Sequence, residues 1–261
     1  MPRANRYFLP GYIWHITHRC HKKEFLLKFA RDRERWIAWL FEAKKRYGLC
    51  ILNYVVTSNH IHLLVKDTSD NVIPRSLQLV AGRTAQEYNQ RKKRKGAFWE
   101  DRYHATAVAS DEHFLKCLVY IDMNMVRAGA VTHPSSWPHG GYQEIQQPRN
   151  RYRIIDLPSL MELTGCNDIQ ALQQQHQQWL SDELAINNST RDMTWTESMA
   201  VGNETFIDEV QSLLGIKARN RKVVVRGEKY ILRETSERYN VHFDAKNSDL
   251  STDNRLLWDS F

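Results

Sequence analysis

Leu52-Asn53-Tyr54-Val55-Val56, then Thr57-Ser58-Asn59, then His60-Ile61-His62-Leu63-Leu64-Val65 spells two short strands joined by a turn. Both runs are apolar and partly β-branched, and the polar triplet between them has turn-forming residue types. The two strands read as hairpin partners, and a sheet can be built outward from them. Upstream, Tyr12 to Thr17 (Tyr-Ile-Trp-His-Ile-Thr) is rich in aromatic and β-branched residues and reads as a strand. Phe29 to Tyr47 places charged and apolar residues at helical spacing, with Trp36, Leu40, Phe41 and Tyr47 facing inward and Gly48 ending the helix. Downstream, Val72 to Gln90 reads as a second helix with a face of Leu77, Val80, Ala81 and Ala85. Arg102 to Ala109 reads as a fourth strand. Ser110-Asp111-Glu112 opens a third helix, with Ser110 as N-cap, that runs to about Arg127 before Gly129. The order strand, helix, strand, strand, helix, strand, helix predicts an α+β fold with a mainly antiparallel sheet.

The texture changes after this unit. Pro134 to Gly141 is a closing loop, and Gln146 to Arg153 reads as a linker, so the chain divides into residues 1–147 and 148–261. The second part is expected to be mostly helical, with a Gln-rich helix over Ile169 to Leu184 and an amphipathic one over Phe206 to Leu214. Asn187 to Met193 reads as a loop, and about Asp244 to Asn254 as poorly ordered.

Bulk composition narrows the partners. The 261 residues carry a formal net charge of +7, which suits nucleic acid or an anionic membrane surface. No apolar run approaches the roughly 20 residues of a membrane span, so a membrane partner is not expected. The basic start, Met1-Pro2-Arg3-Ala4-Asn5-Arg6, is not followed by an apolar stretch with a cleavage site. Cys20, Cys50, Cys117 and Cys166 stand singly, without a C-x-x-C pair, which predicts neither a zinc knuckle nor a disulfide framework and fits a reducing cytoplasm.

Three constellations carry chemistry. In His60-Ile61-His62 the imidazoles lie two apart on a strand, on one face and roughly 6–7 Å apart along the chain. Both can converge on one cation while Ile61 points into the core. At about 100° per residue, His113, Lys116, Tyr120, Asn124 and Arg127 fall in one stripe of the third helix. That stripe has no acidic residue and surrounds a tyrosine with basic groups, and it reads as the unburied face. Asn124, one turn after Tyr120, can add an amide oxygen to the histidines. Two nitrogens and one amide oxygen suit Mg²⁺ or Mn²⁺. Such an ion polarises a phosphate, and Lys116 and Arg127 are placed to neutralise its charge. Asp122, inside the apolar arc, reads as a buried partner for Arg83 or Arg102. The third constellation is Arg91-Lys92-Lys93-Arg94-Lys95-Gly96 followed by Phe98-Trp99, where basic residues can track phosphates and an aromatic such as Trp99 can stack a base. A second basic block, Lys217-Ala218-Arg219-Asn220-Arg221-Lys222, lies near the C-terminus.

Taken together, these segments resemble a family. Asn59 to Val65, Phe98-Trp99-Glu100-Asp101-Arg102-Tyr103-His104-Ala105, Tyr120 to Gly129, and Ser135-Ser136-Trp137-Pro138 through Tyr142 are similar to the REP-associated tyrosine transposases of the single-tyrosine HUH superfamily. The resemblance covers about residues 5–145. It implies a ferredoxin-like antiparallel sheet flanked by helices. It also implies a soluble, nucleoid-associated prokaryotic protein that acts on single-stranded or hairpin DNA with palindromic repeats. Tyr120 then matches the nucleophile that forms a 5′-phosphotyrosine link, and His60 and His62 match the metal pair. Asn124 stands where related transposases often carry Gln, and Met125 where many have Pro. A monomer acting in cis is favoured, with a dimer as the alternative. The resemblance weakens after Pro148, where a longer extension is expected to contact hairpin DNA through Lys217 to Lys222, including Arg219 and Arg221, and through Arg226.

A non-catalytic hairpin binder with the same fold is the competing reading, and the combination of both histidines with Tyr120 favours the enzyme. A multifunctional replication initiator is disfavoured by the absence of a G-x-x-x-x-G-K-[ST] phosphate loop. A metal hydrolase without a covalent intermediate is disfavoured by the shortage of carboxylates around the tyrosine.

Overall fold

The computed structural model describes residues 8–186, 192–218, 221–227 and 229–234. The first half forms β1 (Ile13–Arg19), α1 (Ala30–Tyr47), β2 (Cys50–Val56), β3 (His60–Lys66), α2 (Val72–Lys92), β4 (His104–Val108) and α3 (Glu112–Asp122). A short α4 (Asn124–Arg127) continues α3 after an interruption at Met123. The second half adds α5 (Tyr142–Gln146), α6 (Leu157–Thr164), α7 (Ile169–Ile186), α8 (Thr194–Glu197), β5 (Ala200–Gly202), α9 (Glu204–Leu214), β6 (Arg221–Arg226) and β7 (Lys229–Glu234).

The strands make one sheet of order β2-β3-β1-β4-β5-β7-β6, antiparallel except where β4 meets β5. Its first four strands are the expected ferredoxin-like order, with β1 hydrogen-bonded to β3 on one side and β4 on the other. The sheet continues past residue 147 through β5, β7 and β6, so the second half supplies strands as well as helices. Strand alternation sorts the faces. Ile61, Leu63 and Val65 are buried on the side of α1 and α2. His15, Asn53 and His62 point the other way, toward α3 and α8.

Gly48 ends α1 in the left-handed conformation (φ 71°), donating its N–H to Lys44 O at 2.9 Å, as the sequence predicts. The third helix starts differently. Asp111, not Ser110, is the N-cap, its carboxylate accepting from the His113 N–H at 2.9 Å. An aspartate there also suits the positive end of the helix.

Asp122 is buried as expected, but among the described residues its hydrogen-bond partners are Asn53 and His176, not Arg83 or Arg102. Its Oδ1 accepts from Asn53 Nδ2 at 3.0 Å and its Oδ2 from His176 Nε2 at 2.8 Å. Gln146 fixes the direction of this network. Its Oε1 accepts from Gln177 at 2.7 Å, so its Nε2 faces His176 Nδ1 at 3.0 Å and donates to it. The His176 proton therefore sits on Nε2 and goes to Asp122. This ties α7, in the second half of the chain, to the end of α3.

Candidate functional site

β3 brings His60 and His62 to one face, ring centroids 5.0 Å apart. Each is held by a neighbour that fixes its tautomer. Asn59 Nδ2 donates to Lys23 O at 3.1 Å, which turns its Oδ1 toward His60 Nδ1 at 2.7 Å. An amide oxygen only accepts, so His60 carries its proton on Nδ1 and its lone pair on Nε2. The sequence missed the partner of His62. His15 on β1 is fully buried, and burial lowers its pKa to about 3, so the ring is neutral. Its Nδ1 donates to Trp195 O at 2.8 Å. Its Nε2 must then accept from His62 Nδ1, 2.9 Å away, which leaves the His62 lone pair on Nε2 as well. Asn124 Nδ2 donates to that lone pair at 3.0 Å, so the amide turns its nitrogen, not its oxygen, toward His62. Register explains the meeting, since His62 lies opposite Thr17 and His15 opposite Leu64, making the two histidines diagonal neighbours on adjacent strands.

α3 delivers Tyr120 to the same place. Its ring centroid lies 5.7 Å from His62 and 6.0 Å from His15, edge-on to both, and 6.1 Å from Trp195. Arg127 lies with its guanidinium carbon 4.2 Å from the centre of the Tyr120 ring and donates to the Tyr120 carbonyl. Burial lowers the Arg127 pKa from its usual range. The cation over the ring face favours electron density on the phenol, the charge that a tyrosine nucleophile develops.

Apart from the exposed Lys116, the polar stripe is not a solvated face. Tyr120 is only 6% exposed and His113 1%, the latter bonded to Asp111 at 2.7 Å. Trp179 and Glu183 of α7 and Trp195 of α8 roof the helix and line a pocket of about 460 Å³ that touches Tyr120. The stripe itself carries no acid, but this roof adds Asp182, Glu183 and Asp192 to Glu112 on the pocket wall. Lys116, expected to meet phosphate, lines the same pocket and bonds Glu112 at 2.7 Å.

The first basic block splits in two. Arg91 bonds the buried Asp32, and Arg94 donates to Ala97 O at 2.9 Å, so both have structural partners. Lys92, Lys93 and Lys95 are exposed, as is Arg102. Phe98 is buried. Trp99 packs against His18, ring centroids 4.1 Å apart and nearly parallel, and donates to Ala81 O at 3.0 Å. The structure thus places Trp99 in the packing between sheet and α2, not on an open surface for a base. In the second block Arg219 lies outside the described residues, as do residues 244–254, while Arg221 and Lys222 open the edge strand β6.

Among the described residues no group of three or more His, Cys, Asp or Glu side chains is placed to hold a metal ion. The two histidine Nε2 atoms, with the Asn124 amide beside His62, are a different kind of set, in which the amide nitrogen now faces the imidazole. Among the described residues no helix is long and apolar enough to cross a membrane.

Residues 10–124 match the family described as transposase, IS200 like. The matched segment begins before β1 and reaches Asn124, so it contains His15, His60, His62 and Tyr120, while Trp195 and His176 lie outside it. Two solved structures are similar to the chain. One is a REP-associated tyrosine transposase bound to a REP hairpin, with 19% identity, 59% of this chain and 90% of that chain covered, and a TM-score of 0.48. The other, from Deinococcus radiodurans and provisionally described as a transposase, has 17% identity, covers 46% of this chain and 95% of that one, and has a TM-score of 0.33. Among curated proteins none matches. The net charge of +7 suits a polyanionic partner.

Proposed function

We propose that the protein cuts and rejoins single-stranded DNA at hairpin-forming palindromic repeats, with Tyr120 as nucleophile and a divalent cation, Mg²⁺ or Mn²⁺, held by His60, His62 and Asn124. The observation that carries this reading is that both histidines present Nε2 lone pairs on one strand face, beside a tyrosine 5.7 Å from His62. A metal-ligating histidine typically gives its other ring proton to an oriented acceptor, and here Asn59 Oδ1 and His15 Nε2 are those acceptors. A half-turn of the Asn124 amide, which now donates Nδ2 to His62, brings its oxygen round, and the set then fits a hard divalent ion with open positions for phosphate oxygens. Such an ion, when bound, supplies Lewis acidity and a fixed phosphate geometry.

The chain's own residues do the rest. Tyr120 Oη attacks phosphorus, loses its proton and forms a phosphotyrosine ester on the 5′ side. The P–O3′ bond breaks, and the leaving oxygen takes up a proton to become a free 3′-hydroxyl. Bond energy is kept in the ester, so a 3′-hydroxyl can reverse the step without ATP. Arg127, over the Tyr120 ring, stabilises negative charge on the phenol and on the phosphate beside it. Tyr120 stands beside the histidines of its own chain, which supports action in cis by a monomer.

The test is a labelled hairpin oligonucleotide with unpaired flanks, incubated with the protein and Mg²⁺ or Mn²⁺. The expected product is a shortened strand whose 3′ end a polymerase extends, absent with EDTA and absent for His62→Ala. Cleavage that persists in EDTA overturns the metal-dependent reading.

His15 gives a prediction that does not depend on turnover. His15→Phe keeps the ring volume but removes the acceptor of the His62 proton. Mn²⁺ affinity, titrated by electron paramagnetic resonance, is expected to fall about 10–100-fold. His15→Gln, which returns an acceptor oxygen, is expected to recover part of it. Equal affinity in wild type and His15→Phe contradicts this role.

The edge strand β6 carries Arg221, Lys222 and Arg226 beside the exposed Val223 and Val225. We assign these cations to the DNA backbone. Truncation at residue 160 is a poor test, because it removes Trp195 and His176 with them. Alanine at all three positions is expected to weaken hairpin binding and to flatten its salt dependence by about 0.9 for each phosphate no longer neutralised. An unchanged slope removes β6 from the interface.

A further inference from the structure

The exposed aromatic residues nearest the first basic block are not the ones that the sequence singles out. Phe98 and Trp99 are packed, whereas Phe25 is 65% exposed and Phe29 56% exposed. Both lie in the segment between β1 and α1, His21-Lys22-Lys23-Glu24-Phe25-Leu26-Leu27-Lys28-Phe29, whose Leu26 and Leu27 are buried and anchor it. Its lysines Lys22, Lys23 and Lys28 are exposed. The segment touches the basic block directly. His21 N donates to Phe98 O at 2.8 Å, and the Lys92 ammonium lies 5.3 Å from the centre of the Phe29 ring. Two bulky rings kept in water beside lysines have no folding benefit on that side.

The same segment is fastened to the proposed cation site. Cys20 N donates to Asn59 O at 2.7 Å and Leu27 N to Ser58 O at 2.9 Å. Lys23 O accepts from the Asn59 amide that sets the His60 tautomer. Lys22 and Lys23 hold left-handed backbone (φ 50° and 60°), which L residues rarely adopt. Lys23 N and Glu24 N, bonded to Cys20 O and His21 O at 3.1 and 3.0 Å, keep the loop in that shape. Charge separates the surroundings of Tyr120 into two kinds. The pocket under α7 is mixed, with Glu112, Asp182, Glu183 and Asp192 set against Lys116, Arg127 and Lys229. The border at Asn59 and His60 is net basic, with Lys22, Lys23 and Lys28 exposed and its one acid, Glu24, paired with Arg94 at 3.5 Å.

We propose that Phe25 and Phe29, with Lys22, Lys23, Lys28 and Lys92, form a stacking platform for the unpaired nucleotides that flank the cut phosphate. This rests on the DNA-cutting reading above and adds the surface along which the single strand leaves His60. Bases stack on the two rings and the lysines follow the phosphates, a combination that holds single strands without reading their sequence.

The test is fluorescence anisotropy with the full-length protein and three labelled probes: oligodeoxythymidine, a hairpin with an unpaired tail, and the same hairpin with blunt ends. Because both rings are exposed, Phe25→Ala/Phe29→Ala is expected to leave the melting temperature unchanged. It is expected to weaken binding of the first two probes by about tenfold or more, with the salt slope kept and the blunt hairpin unaffected. Phe25→Trp/Phe29→Trp should retain wild-type affinity. Lys22→Ala/Lys23→Ala should instead flatten the single-strand salt slope by roughly 0.7 for each phosphate no longer neutralised. Unchanged affinity of the double alanine variant for tailed probes overturns the platform. So does a shift from dimer to monomer in sedimentation on alanine substitution, which assigns the face to a second copy of the chain. A wild-type protein that binds none of the three probes removes the DNA reading itself, an outcome distinct from failure of the platform.

Discussion

Tyr120→Phe is expected to abolish formation of any covalent protein–DNA species and to lower strand cleavage by on the order of 10⁴-fold or more, the scale of losing a nucleophile in covalent catalysis. The substitution removes one oxygen and leaves the ring. The edge contacts with His62 and His15, the packing on Trp195 and the guanidinium of Arg127 over the ring face all survive it. Melting temperature, Mn²⁺ affinity and hairpin affinity should therefore match wild type, which separates chemistry from folding. Cleavage at an undiminished rate by Tyr120→Phe means that water or another side chain attacks, and the tyrosine mechanism falls.

His176→Ala carries the second largest expected effect, on stability. Asp122 and His176 are almost completely buried and bonded at 2.8 Å. Removing the histidine leaves a carboxylate with only Asn53 to satisfy it, and breaking a buried pair from one side costs about 3–5 kcal/mol. For a chain of this size that corresponds to a fall in Tm of roughly 10 °C. Asp122→Asn in the same background should restore part of the loss, because a neutral amide is cheaper to bury than an unpaired charge. Since Asp122 ends the helix that carries Tyr120, His176→Ala should also lower cleavage by more than it lowers DNA binding. A Tm within a degree of wild type shows that the pair does not hold α7 to α3.

Much of this arrangement is legible in the sequence because its signals are local. The hairpin at Leu52 to Val65 follows from two apolar, partly β-branched runs around a polar triplet, and the His-x-His on its second strand places both rings on one face. The end of α1 at Gly48 follows from one residue's freedom at positive φ. The resemblance to a transposase family, carried by motifs up to Tyr142, agrees with the family match over residues 10–124.

What the sequence hides depends on distant partners. Asp122 reads as a buried charge awaiting an arginine, and its partner His176 comes from a helix 54 residues later. His15 looks like one polar residue in an aromatic strand, and only the β1–β3 register puts it behind His62. The stripe around Tyr120 reads as exposed because nothing local announces that Trp179 and Trp195 cover it. β5 has three residues, too few for a periodic signal, and the charges of the edge strand β6 read as a basic block. Phe98 and Phe25 both sit in basic surroundings, and tertiary packing alone decides which one meets solvent.

The most direct test of the central claim is a mass-spectrometric map of the product. Wild-type protein is incubated with a tailed hairpin and Mg²⁺ or Mn²⁺, denatured and digested with protease and nuclease. The predicted result is a nucleotide joined through its 5′-phosphate to the peptide that contains Tyr120, formed only with the cation. No adduct from a protein that binds the hairpin tightly, or a cleaved strand with a free 5′-phosphate and unmodified Tyr120, contradicts the account.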